Sequence, residues 1–133
     1  LGDGGAHMSQ LCDACYTTHL LGHWVRERGA MSLERAVHML TGRTAALYGI
    51  PDRGRLAEGW PADVVVLDAS RVGAGPLERV HDLPAGADRL VSRPEGIAAV
   101  ICNGTILPAP GEEWTHGAAG PGRLLRGGKR RSA

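Results

Sequence analysis

A chain of 133 residues has room for one ordinary domain or parts of two. Its 43% hydrophobic and 22% charged residues exclude a disordered chain, and the lack of Phe, with aromatics at only 4%, leaves a core built from Val, Leu, Ile and Ala. The net charge of +1 is uneven, because Arg123, Arg126, Lys129, Arg130 and Arg131 fall in the last eleven residues and leave the body slightly acidic.

Leu1-Gly2-Asp3-Gly4-Gly5-Ala6-His7 reads as the end of a strand that presents a carboxylate before a glycine turn. Asp-Gly is also among the commonest turn dipeptides, so these residues taken alone read first as a plain turn. In a (β/α)8 barrel, chemistry sits at the C-terminal ends of strands, which is where Asp3 would stand as a metal ligand or proton carrier. An opening on what looks like the last residues of a strand suggests further polypeptide upstream. Cys12, Cys15, His7, His19 and His23 form a dense set of metal-ligand types. Their spacing is wrong for a zinc finger, since only three residues separate Cys15 from His19, so the two cysteines are expected to be small buried hydrophobes. Three cysteines in a chain without an export signal point to reduced thiols.

Leu20, Leu21, Trp24 and Val25 fit an amphipathic helix ending in Arg26-Glu27-Arg28-Gly29. Ser32 is an N-cap, with Arg35 where a complete capping box would carry Glu, and helical pieces follow over 32–41 and 43–48 until Pro51. From Asp52 the character changes to turn and strand. Residues 62–68 read as a strand buried on both faces, and 70–95 as an irregular excursion with a short strand at 89–91. A further strand over 97–102 leads to Asn103-Gly104, a type I′ hairpin signal, and the returning strand 105–107. The basic tail from Gly127 has the composition of a frayed end and lacks the interleaved aromatics of a nucleic-acid binder. No apolar run approaches the ~20 residues of a membrane span, and no leader opens the chain, so a cytoplasmic protein without nucleic-acid or membrane partners is expected.

The segment Gly54-Arg55-Leu56-Ala57-Glu58-Gly59-Trp60-Pro61-Ala62-Asp63-Val64-Val65-Val66-Leu67-Asp68 resembles the G-x-L-x-x-G-x-x-A-D-h-V-h-h-D signature of the amidohydrolase superfamily, h being apolar. The wording Gly2 to His7, Cys12-Asp13, Trp24 to Arg28, Asp52-Arg53-Gly54, Asp82 to Gly86 and Pro121 to Arg126 is similar to the N-acyl-D-amino-acid deacylase (D-aminoacylase) branch. The resemblance implies an α/β chain comprising the C-terminal end of a metal-dependent (β/α)8 barrel followed by strands of a small β-sandwich. Residues 1–51 would be the last strand and helices of the barrel, 52–126 the sandwich part and 127–133 a flexible basic tail.

It also implies roles. Asp3 would lie against one or two zinc ions as ligand and proton shuttle, while Gly54, Gly59 and Asp63 shape a turn and do no chemistry. Most zinc ligands, including a His-x-His, would lie in the remainder of the barrel, upstream or on another chain, so the isolated chain is expected to be inactive. Where that branch carries a Pro-His-Pro-Arg element after the Asp, this chain reads Gly4-Gly5-Ala6-His7, and His7 is the candidate substrate contact. Tyr16, Thr17 and Thr18 are weaker candidates for the pocket edge. The implied substrate is a small N-acyl amino acid whose linear amide is hydrolysed. Two other readings are a cyclic-amide hydrolase of dihydroorotase or hydantoinase type, which shares the signature, and a non-catalytic structural or interaction fragment.

Overall fold

The computed structural model describes residues 10–109, 112 and 119–125 and mixes helix with strand. The described residues divide into two compact units. One takes the chain up to Met31 together with Asp68–Gly96, and the other takes Ser32–Leu67 and the chain from Ile97 onward.

In the first unit, helix α1 (Tyr16–His19) runs directly into a π-helical stretch, Leu20–Glu27. The wider winding shows in the N–H of Arg28, which donates to the carbonyl of His23 five residues back at 2.9 Å. The amphipathic segment over 20–28 is therefore helical, but under-wound. It stops where the sequence places Gly29, whose φ of 58° lies in the left-handed region that favours glycine. Leu21 and Val72 bury their side chains in this unit. Gly22 and Gly73 bring backbone against backbone: a Cβ on Gly22 would stand 2.8 Å from the Gly73 Cα. Arg26 reinforces that contact, its Nη1 donating to the Val72 carbonyl at 2.6 Å.

The excursion over 70–95 is more regular than its composition predicts. Strands β2 (Gly73–Val80) and β3 (Arg89–Glu95) form an antiparallel hairpin, with Val80 opposite Arg89 and Gly73 opposite Glu95. The strand expected at 89–91 is the start of β3. Apolar alternation is weak here because much of the pairing is held by charge. Arg89 grips Asp82 through two nitrogens at 2.6 and 2.7 Å, Arg79 pairs with Asp88, and Glu78 lies 3.6 Å from Arg93. The register shifts between Ala74 and Leu77, so Gly75 and Pro76 fall at an irregularity, where a residue without an N–H is tolerated.

In the second unit, helices α2 (Leu33–Leu40) and α3 (Gly42–Leu47) are separated by a break at Thr41, and the Ser32 Oγ accepts from the Arg35 N–H at 3.2 Å, the half-capping the sequence predicts. Strands β1 (Val64–Leu67), β4 (Ile97–Cys102) and β5 (Thr105–Ile106) form an antiparallel sheet in the order β1-β4-β5. Asn103 and Gly104 both have positive φ, 47° and 82°, as the tight hairpin requires. The expectation that β1 is buried on both faces is corrected: Val65 and Val66 remain 53% and 45% exposed. The reason is topological, since β1 is an edge strand paired only with β4 among the described residues.

Gly54 joins the helices to the turn that precedes the sheet. Its φ is 83°, and a Cβ there would stand 2.8 Å from the Thr41 carbonyl oxygen and 2.9 Å from the Ala45 Cβ. Gly59 has a similar φ of 75° but open space around it. Gly59→Ala should therefore cost only the left-handed backbone penalty, about 1–2 kcal/mol, whereas Gly54→Ala adds a backbone clash and should cost clearly more. Urea midpoints of the two variants check the order; equal losses would remove the packing role of Gly54.

Candidate functional site

The two residues that the sequence singles out for chemistry, Asp3 and His7, lie outside the described residues. The neighbouring ligand types are described. Cys12 and Cys15 are partly exposed free thiols, which corrects the expectation that both are buried, and the Cys15 Sγ lies 3.8 Å from the Cys12 carbonyl oxygen. Thr18 donates its hydroxyl to the Cys15 carbonyl at 3.1 Å, a local helix contact, and Tyr16 is exposed. His19 and His23 stack with ring centroids 5.0 Å apart, and His23 Nδ1 lies 3.0 Å from a Glu27 carboxylate oxygen. That hydrogen bond, with help from Arg26, holds the Glu27 carboxyl below its usual range. Among the described residues, no group of three or more His, Cys, Asp or Glu side chains is gathered as a metal site would require. The described residues therefore do not themselves supply a place for a divalent ion.

What they do gather is an ionic clamp in the second unit. Arg53, only 11% exposed at its side chain, reaches three partners: the Asp63 carboxylate at 2.6 Å from Nε, the Asp52 carboxylate at 2.9 Å from Nη1, and the Asn103 side-chain oxygen at 3.1 Å from Nη2. Asp63 accepts a second bond from the Asn103 backbone N–H at 2.7 Å. That backbone donor, followed by Arg53, holds the Asp63 carboxyl below its ordinary value against the opposing effect of burial. Asn103 then turns its amide to the Pro121 carbonyl at 2.7 Å, and the Gly104 N–H bonds the Ala62 carbonyl at 2.9 Å. The signature residues Gly54 and Asp63 thus serve the architecture, as the sequence implies. At the end of the signature, Asp68 accepts from the N–H and hydroxyl of Ser70 at 2.8 and 2.6 Å, closing a turn, and these two bonds hold its carboxyl below the ordinary carboxylate range.

Beside the clamp lies an open groove of about 520 Å³. Ala45, Ile50 and Pro51 give it an apolar side, while His38, Arg55 and Trp60 bring polar and aromatic groups. The Arg55 guanidinium sits over the Trp60 ring, 5.1 Å from its centroid. His38 is admitted by Gly42, where a Cβ would come 3.1 Å from its Nδ1. Arg55 and Trp60 stand at positions the signature leaves variable, and Arg53 enters the sequence only as part of the Asp52-Arg53-Gly54 wording, with no role attached. The available signal was the pair of arginines flanking Gly54 with a Trp five residues on.

Residues 3–108 match the Amidohydrolase family. Over 110 residues the chain is 40% identical to an N-acyl-D-glutamate deacylase, and over 111 residues 38% identical to an N-acyl-D-aspartate deacylase, both of Alcaligenes xylosoxydans xylosoxydans. These alignments take in 82% and 84% of the chain. A D-aminoacylase of the same organism is 38% identical over 85 residues, or 64% of the chain. The chain spans about a fifth of the length of these curated relatives: 20% of the first two and 16% of the third. No solved structure matches it significantly.

Because the Asp63 carboxyl is more acidic folded than unfolded, the stability it contributes is complete above the unfolded value of about 4 and is lost as the pH falls through the folded one. Asp63→Asn should lower stability near neutrality by about 1–2 kcal/mol, as expected for a partly exposed hydrogen bond to a charged group. The gap between variant and parent should narrow below pH 4. Urea titrations at neutral and acid pH check this, and a gap that does not change with pH would remove the charge from the account.

Proposed function

The chain belongs to the amidohydrolase family, in the D-aminoacylase-like branch, and from that premise we propose that it is the C-terminal portion of a zinc-dependent enzyme hydrolysing the amide of N-acyl D-amino acids. The observation that carries the reading is the similarity to proteins named as deacylases of N-acyl-D-glutamate and N-acyl-D-aspartate, extending over more than four-fifths of the chain. In this reading residues 1–51 close a (β/α)8 barrel, 52–126 belong to a small β-sandwich and 127–133 form a basic tail. The ion and most of its ligands belong to polypeptide outside these 133 residues, so the isolated chain is inactive, and the enzyme works in the cytoplasm on a small N-acyl amino acid.

The role proposed for this chain's own residue is proton transfer. A carboxylate at Asp3 takes a proton from the attacking water and hands it to the departing amine, so that one group serves both halves of the reaction. The zinc, when bound, would supply polarisation of the amide carbonyl and a more acidic water. His7, four residues beyond Asp3, is proposed as a substrate contact.

In the full-length protein, Asp3→Asn should lower kcat for N-acetyl-D-glutamate by about 10²–10⁴-fold, the range for loss of a general acid-base group. Turnover kept within a few-fold of the parent would take Asp3 out of the mechanism. N-acetyl-L-glutamate and a hydantoin, assayed alongside, separate the D-amino-acid reading from its enantiomer and from cyclic-amide hydrolysis. Activity on the hydantoin alone would replace the deacylase reading.

A further inference from the structure

The groove formed by α2, α3 and the turn at Trp60 has a chemical asymmetry that the deacylase reading does not use. Its titratable lining groups are His38, Arg53 and Arg55, with no carboxylate among them. Arg53 is committed to Asp52, Asp63 and Asn103, but Arg55, two residues on, has no carboxylate within ion-pair distance among the described residues. Its guanidinium meets the Trp60 ring instead. The guanidinium lies 5.1 Å from the ring centroid, and such a group carries five N–H donors in a planar fork that fits a carboxylate. The ring also limits the freedom of the long side chain, so part of the ordering cost of binding is already met. Ala45, Ile50 and Pro51 provide apolar surface alongside, and about 520 Å³ lies within the range of small-molecule sites.

We propose that this groove binds a small carboxylic acid with an apolar body, the carboxylate held by Arg55 and the apolar part lying against Trp60, Ile50 and Pro51. His38, seated over Gly42 in the same lining, offers a further nitrogen to a polar atom of the ligand. The site does not depend on Asp3 or on hydrolysis.

The test is binding of octanoate, which carries no amide bond, to the full-length protein labelled with 5-fluorotryptophan. The Trp60 fluorine resonance is identified by its loss in Trp60→Phe. Octanoate should shift that resonance saturably. Octanamide, of nearly the same shape but uncharged, should bind at least about tenfold more weakly, as loss of a charge-assisted hydrogen bond predicts. Arg55→Met should weaken octanoate to a similar degree, and Arg55→Lys should recover part of it. Arg55 is exposed and only its contact with the Trp60 ring is at stake, so both variants should stay folded, with at most a small fall in urea midpoint. A Trp60 resonance that octanoate leaves unmoved overturns the proposal, whether the groove has no affinity for the acid or is filled by another part of the polypeptide. So does equal binding of octanoate and octanamide, or full octanoate affinity in Arg55→Met.

Discussion

The second unit depends on one guanidinium. Arg53 ties the turn after the helices to Asp63 at the entry of β1 and to Asn103 in the hairpin between β4 and β5. Asp63 lies ten residues and Asn103 fifty residues along the chain from Arg53, and both bonds run to side-chain oxygens. The Arg53 side chain is largely withdrawn from water while the Asp63 carboxylate stays 38% exposed, so the bond is partly screened and its loss costs most through the guanidinium left short of a partner. Gly54 follows directly, allowing the chain to pass within contact of Thr41 and Ala45 immediately after the arginine. A recognisable signature and an ionic clamp are therefore one feature seen twice.

The first unit is joined by other means. Its helical stretch meets the start of β2 through a pair of glycines and the Arg26 bond to a carbonyl, so backbone, not side-chain volume, makes the contact. Its hairpin is laced by arginine–carboxylate pairs at the surface, interactions that individually contribute little but set which residues face each other. This suits a composition with no Phe and few aromatics, in which close backbone approach and charge pairs complement a core of Val, Leu, Ile and Ala.

Features governed by local backbone chemistry were legible in the sequence. Ser32 caps its helix, Gly29 ends the preceding one and Asn103-Gly104 turns the last hairpin, because each rests on the conformational preference of one or two residues. The β2–β3 hairpin was not legible, since Gly73, Gly75 and Pro76 hide the alternation that marks a strand and the pairing partners are charges. Nor was the under-winding of Leu20–Glu27, for an apolar stripe over two turns suits either helical pitch. At the candidate sites the signature reported turn-forming positions, while Arg53 and Arg55 gained their roles only from partners brought near by folding. Asp3 and His7 carry the chemical reading through family resemblance, in a stretch the described residues do not reach.

The short strand β1 presents one flank to β4 and leaves the opposite row of peptide groups without a neighbouring strand among the described residues, with valines exposed along its length. Such a border is a template for any extended segment of suitable apolar character. Produced alone, these 133 residues would be prone to self-association at high concentration, and covering that border would favour the dispersed form over the clustered one.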